Sequence, residues 1–397
     1  MALATLIGNQ PPARFFAYVW ERECSLQRGA FGAAHELLTL DQFEALVAGA
    51  AADSSGRLNV VDKIARPLRA DADEAAAVSA VFRSYHAGHT LLLTELQRTW
   101  RPVAQLCRAL ESELIGLGVR VAQRIGANAY LTPARSQGFD IHYDDHCVFV
   151  IQLAGAKQWQ VYPPRVELPV ERCTATIPES QLAPPCLEAE LRSGDVLYIP
   201  RGFPHAARTG GDSSLHVTLS LHTLTWLAVV QAALRDKPAL RRSVPMALAS
   251  GDAQTYFDDE LQPALAIRDI DDQLERHAAK LIARLVPVPH HRIRELDRLR
   301  LAELGPDTRV ERVEGTLCVV YRDGDQVMMQ LPGNSLCLPA AMEDALQFIA
   351  RTRAFSPAQI PLQRATFDPV DLVRILISEG LLHVNPDRPA SSARGPS

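Results

Sequence analysis

None of the seven cysteines, Cys24, Cys107, Cys147, Cys173, Cys186, Cys318 and Cys337, stands in a C-x-x-C pair. That scatter excludes a finger- or ribbon-type zinc site and argues against a disulfide framework. No stretch approaches the ~20 apolar residues needed to span a bilayer. Residues 1–14 lack the charged-then-apolar pattern of a leader, so no membrane partner and a reducing, cytoplasmic location are the expectation. Lys and Arg never run together densely, and with a formal charge of −5 direct nucleic-acid binding is not expected. What remains is 397 residues, 47% hydrophobic and 22% charged, enough for more than one folded core.

Residues 12–52 suggest short helices, with Phe15, Phe16, Val19 and Trp20 at helical spacing before Gly29 and Gly32. Residues 98–116 repeat apolar positions at three and four (Val103, Leu106, Cys107, Leu110, Leu114), the stripe of a helix that lies on a sheet. From 119 to 220 the texture changes to β-prone runs at 148–153, 158–162, 195–199 and 216–221, separated by Pro, Gly and Asp, which is a barrel signature. Helical patterning returns over 226–286, on stripes through Trp226, Leu227, Val230 and Leu234 and through Leu274, His277, Leu281 and Leu285. Strands at 316–321 and 326–331 flank Asp323-Gly324 as a hairpin turn. Helices over 340–350 and 369–379 follow, the second capped by Gly380.

The expected α+β organisation is a helical and mixed lead-in over 1–90, a β catalytic core over 91–225 and a helical bundle suited to dimerisation over 226–300. A winged-helix-like domain over 301–385 and a disordered Pro- and Ser-rich tail over 386–397 complete it.

The strongest chemical signal is Gly138-Phe139-Asp140-Ile141-His142-Tyr143-Asp144-Asp145-His146, followed at once by the apolar run 148–153. On a strand, side chains two apart face the same way, so His142 and Asp144 can converge on one ion. A third ligand follows in Gly194-Asp195-Val196-Leu197-Tyr198-Ile199-Pro200-Arg201-Gly202-Phe203-Pro204-His205. Two imidazoles and one carboxylate on one face of a metal leave positions open for a co-substrate and dioxygen, as non-haem Fe(II) oxygenases require. Zinc in a structural role prefers a closed tetrahedral set.

At these residues the chain resembles the JmjC ribosomal oxygenases, the 2-oxoglutarate oxygenases that hydroxylate histidine or arginine in ribosomal proteins. The resemblance runs through Asn128-Ala129-Tyr130-Leu131-Thr132-Pro133, Ser136-Gln137-Gly138, His142-Tyr143-Asp144-Asp145, and the run 148–153 with Gly155, Lys157 and Trp159. It continues through Tyr198-Ile199-Pro200-Arg201-Gly202 and His216-Val217-Thr218-Leu219-Ser220. It implies a double-stranded β-helix of the jelly-roll or cupin type. His142, Asp144 and His205 then hold Fe(II), and 2-oxoglutarate and O2 are co-substrates. Lys157 is implied to grip the distal carboxylate of 2-oxoglutarate, with Asn128 lining the same pocket, while Tyr130 and Ser214 face a protein or peptide substrate. A buried ammonium at Lys157 also needs an anion to offset its desolvation.

The resemblance further implies a homodimer and a protein substrate, a ribosomal protein foremost. Arg201 is expected to hold the turn before His205, His146 to stand beside the centre, and His216 to add no fourth ligand. Histone demethylation is disfavoured by the missing zinc-binding and chromatin-reading segments. Two other readings are open: a hydroxylase of another peptide or a small molecule, since the triad specifies the oxidant and not the target, and a non-catalytic cupin-like binding protein. The intact triad together with Lys157 speaks against the last.

Overall fold

The computed structural model describes residues 2–52, 56–67, 74–173, 176–235, 237–244, 253–267, 270–285, 292–301, 304–362 and 367–385. The tail expected after Asn385 lies outside these. The chain divides into two units, Met1–Thr223 and Leu224–Ser397.

In the first unit the alternating runs become one antiparallel sheet. Its strands are β1 (Ser25–Gln27), β2 (Leu58–Asp62), β3 (Ile64–Pro67), β4 (Thr90–Leu93), β5 (Gly126–Thr132), β6 (Cys147–Val161), β7 (Leu187–Arg192), β8 (Val196–Ile199) and β9 (His205–Leu221). Their order is β1-β8-β6-β9-β5-β4-β2-β3, with β7 also on β6. The region expected as a lead-in therefore supplies strands to the same sheet that carries the metal motif.

The two runs read at 148–153 and 158–162 form a single strand, β6, which pairs with β9 along its length, from Cys147–Leu221 to Val161–His205. Two register shifts, between Gln152 and Ala154 and between Gly155 and Lys157, interrupt the ladder. A bulge bends a strand and lets it change which residues face one side, so Val148 and Val150 before the shifts and Lys157 and Trp159 after them line the same cavity. Gly155 makes the bend possible. Its φ is +65°, and a Cβ built there lies 1.9 Å from the Ser213 carbonyl oxygen.

The helix Arg101–Gly116 buries Val103, Cys107, Leu110 and Leu114, the stripe read from the sequence. It begins three residues later than expected because Pro102 occupies its first turn, where a missing N–H costs nothing. Phe15 and Val19 are buried. The Phe15 ring packs edge-on against Tyr198 at 5.1 Å and stacks with Phe149 at 6.1 Å, so the N-terminal turn covers β6 and β8.

In the second unit the Trp226–Arg235 helix packs on the Ile270–Ala283 helix. Its buried stripe is Val229 and Ala233, offset from the expected one, and Trp226 and Leu227 stand 70% and 47% exposed. Two three-stranded antiparallel sheets follow, β14-β10-β15 and β11-β12-β13, from β10 (Val310–Arg312), β11 (Val319–Asp323), β12 (Gln326–Leu331), β13 (Asn334–Pro339), β14 (Ala354–Phe355) and β15 (Leu382–Val384). The hairpin turn is Gly324-Asp325 and not Asp323-Gly324, because Asp323 pairs with Gln326 in the ladder. The third strand, β13, escaped the sequence reading. The helices Glu343–Arg351 and Pro369–Ser378 bury Leu346, Ile349, Leu372 and Leu376 in the core of this unit. Asp368 caps the second helix by accepting a hydrogen bond from the Val370 N–H at 2.8 Å.

Gly155→Ala should destabilise the first unit by about 1–3 kcal/mol, since both the left-handed backbone and the Ser213 carbonyl resist a side chain. Chemical denaturation checks this, and an unchanged midpoint would remove the assigned role of the bulge.

Candidate metal centre and its cavity

His142 and Asp144 precede β6 and do not lie within a strand. The segment that carries them is tied to β9 instead. His142 forms an isolated antiparallel bridge with His205, the first residue of β9. The two residues exchange both backbone hydrogen bonds, His205 N–H to His142 O at 2.8 Å and His142 N–H to His205 O at 3.3 Å. A directly opposed pair of this kind brings its side chains together on one face, and the two rings stand 4.6 Å apart. Asp144 Oδ2 is 3.8 Å from His205 Nε2. The ligand atoms of His142, Asp144 and His205 all lie within 4.8 Å of one another.

Both imidazoles are oriented by the backbone. His142 Nδ1 lies 2.8 Å from the Asp140 carbonyl and His205 Nδ1 lies 3.0 Å from the Phe203 carbonyl. A carbonyl can only accept, so each Nδ1 carries the proton and each Nε2 keeps its lone pair for a metal. Burial, reinforced by His142, pushes the His205 imidazole down to about 4 against the pull of Asp144. Burial alone would raise the Asp144 carboxyl, but His205, His146, His142 and His222 together hold it below its usual range. The turn before His205 is fixed by Arg201, whose Nε lies 2.8 Å from Glu21 Oε1. At the other end of β8, Asp195 accepts from Arg28 and from the Gly29 and Arg192 N–H groups and ties β1 to β8.

The three ligands open onto a cavity of about 690 Å3, lined by residues of β4, β5, β6, β8 and β9, so the sheet wraps around it. Lys157 lies inside, 4% exposed, and its Nζ donates to Thr132 Oγ1 at 2.8 Å. No carboxylate pairs with it among the described residues, and burial pushes its ammonium down to about 7. Nearby, Trp159 Nε1 and His216 Nδ1 are buried without hydrogen-bond partners among the described residues. Two buried ring nitrogens without a partner, beside an ammonium whose hydrogen bond is to a hydroxyl and not to an anion, fit a carboxylate ligand, because buried donors are ordinarily satisfied. The two imidazoles and one carboxylate fit a divalent iron-class ion.

Asn128 and Tyr130 line the same cavity. They alternate with Ala127, Ala129 and Leu131 along β5, and Thr132 follows on the same face. Parity alone could therefore have added Thr132 as the partner of Lys157. The Tyr130 ring stacks on His216 at 4.8 Å with 2° between planes. Burial, followed by the Asp144 charge, pushes its phenol up to about 12. Ser214 is not brought to the cavity. It pairs with Thr132 in the ladder, is fully buried, and accepts a hydrogen bond from Gln152 Nε2 at 2.8 Å. His216 lines the cavity between Tyr130 and Trp159 without joining the ligand set.

A family model described as JmjC domain matches residues 97–229. Ribosomal oxygenase 1 of Homo sapiens is 34% identical over 262 residues, covering 60% of this chain and 38% of that protein. The bifunctional lysine-specific demethylase and histidyl-hydroxylase NO66 of Drosophila persimilis is 29% identical over 315 residues, covering 75% of this chain and 43% of that protein. The chain thus spans well under half the length of these relatives. Among solved structures, the Escherichia coli ribosomal oxygenase YcfD in complex with cobalt and 2-oxoglutarate matches with a TM-score of 0.55 at 18% identity, over 94% of this chain and 98% of that one. This likeness shows the JmjC/cupin fold with its antiparallel sheets. Residues 97–229 thus carry a JmjC domain, and the chain is similar to the ribosomal oxygenases and to the NO66 histidyl-hydroxylases.

Proposed function

We propose that the chain is an Fe(II)- and 2-oxoglutarate-dependent oxygenase that hydroxylates an arginine or histidine side chain of a protein, a ribosomal protein foremost. The observation that carries this reading is the union, in one cavity, of an open three-ligand metal set with a buried lysine that has no counter-ion among the described residues. The names of the relatives, and the cobalt and 2-oxoglutarate bound to YcfD, support it.

Iron with its 2-oxo acid and dioxygen supplies an oxidant able to attack an unactivated C–H bond, while the protein contributes geometry and shielding. His142, Asp144 and His205 hold the metal on one side. Lys157, oriented by Thr132, grips the distal carboxylate, with Asn128 beside it. Tyr130, stacked on His216, forms the wall against which the target side chain is oriented. Ser214 contributes from behind Thr132, as a packing partner of Gln152 and not as a surface for substrate. The fly relatives' names join histidyl hydroxylation to lysine demethylation, so a methyl-lysine peptide belongs in the same assays.

His142→Ala and Asp144→Ala should each abolish conversion of 2-oxoglutarate to succinate while leaving circular dichroism unchanged. Either purified variant turning over at the parental rate defeats the assignment. In the native host, intact masses of ribosomal proteins from a deletion strain should lack one oxygen that purified enzyme, Fe(II) and 2-oxoglutarate restore. Succinate production without any such change moves the target to another peptide or a small molecule.

Lys157 sets a pH dependence. Burial lowers its pKa to about 7, and only the protonated form grips a dicarboxylate. Binding is therefore full below about pH 7 and weakens as pH rises above it, by up to about tenfold per unit. Calorimetric titration of 2-oxoglutarate into the Co2+-loaded chain checks this. A flat profile would exclude Lys157 as the gripping cation, and Lys157→Met should weaken binding by about 10- to 100-fold.

The second unit is assigned to protein contact. Trp226 and Leu227, exposed side by side at the start of their helix, support a dimer interface. Light scattering should give twice the chain mass, and Trp226→Glu should halve it. A parental monomer ends the dimer reading.

A further inference from the structure

Beyond the triad, the same ladder that assembles it brings together a second set of metal-binding side chains at its other end. The β6–β9 pairing closes with Cys147 opposite Leu221. His146 and His222 are the next residue outward on each strand, so continuation of the register sets them across from one another. Their rings lie 4.2 Å apart with 27° between planes. Asp145 reaches the same place, its Oδ1 accepting from His146 Nδ1 at 2.9 Å. The ligand atoms of Asp145, His146 and His222 all fall within 4.8 Å of one another, the same span that encloses His142, Asp144 and His205.

The backbone under this cluster is held from a third side. The His222 carbonyl accepts from Ala122 N–H at 2.7 Å, and Val121 bridges Thr223. The His222 ring, by contrast, makes no hydrogen bond to any described residue, which leaves its nitrogens available to an ion. All three residues are partly exposed, so an ion has access, and His146 also faces the cavity of the first centre.

A stacked imidazole pair alone is ordinary packing. Two imidazoles with a carboxylate turned toward them form a three-ligand set, which zinc-class ions occupy with water in the remaining position. We propose that Asp145, His146 and His222 form a second transition-metal site beside the first, taking a borderline divalent cation of the Zn2+ or Co2+ class. Its donors match those of the first centre in kind, two nitrogens and one oxygen, so softness cannot direct an ion to one and away from the other. Any such ion in excess fills both.

The experiment is stoichiometry with Co2+ as the probe. Untagged full-length chain, stripped with a chelator, is dialysed to equilibrium against Co2+ and its metal content measured by mass spectrometry. Parental protein should hold two equivalents. His146→Ala and His222→Ala should each hold one, as should His205→Ala, which leaves the second set intact. His222→Gln, closer in size, replaces the alanine variant if that does not fold. Saturation of the parental chain at one equivalent overturns the proposal, as do two equivalents persisting in both the His146 and His222 variants. Failure of the first centre is read separately, as a His205→Ala variant that still holds the parental metal content.

Discussion

The antiparallel ladder between β6 and β9 is the constraint on which the rest of the first unit depends. At one end His205 is shared between Val161 in the ladder and His142 in the preceding segment, and that double pairing turns two distant histidines into adjacent ligands. In the middle, two register shifts and the left-handed Gly155 change which side chains of β6 face inward. Without them the parity of Val148 and Val150 would put residues 156 and 158 into the cavity and leave Lys157 and Trp159 outside. One long pair of strands therefore carries both the metal set and the anion-binding cation.

Charge distribution in the cavity follows from burial. Burial lowers the imidazoles of His205 and His216, favouring the neutral form that metal ligation by His205 requires, while the Asp144 carboxyl is held below its usual range. Lys157 is the exception, a buried ammonium whose hydrogen bond is to a hydroxyl. A buried cation without an anion is costly, and the cost is relieved when a dicarboxylate arrives. The cavity nitrogens left without partners, Trp159 Nε1 and His216 Nδ1, thus mark where a ligand belongs, while satisfied groups such as Asp195 and Ser214 mark where the scaffold is fastened.

Much of this was written in the residues. The H-x-D pair, the distant histidine after Pro-Arg-Gly, and a lysine and tryptophan two apart in an apolar run named the chemistry. The stripe of residues 101–116 and the alternation through β5 gave the elements that hold it. The strand expected to carry the pair is not there, however: His142 and Asp144 lie ahead of β6, and a bridge to β9 sets His142 beside His205. Ser214 shares the face of His216 and Thr218 on β9, yet lies one rung too far to reach the cavity.

The sequence by itself determined donor types, apolar periodicity and the positions of the special glycines, because these are properties of single residues and near neighbours. Tertiary structure alone decided register. Whether β6 was one strand or two, that Thr132 meets Lys157, that His146 stands opposite His222, and that Gly324-Asp325 makes the hairpin turn all depend on pairings between segments far apart in the chain. Such pairings are settled by the summed burial and hydrogen bonding of whole strands, which no short motif records.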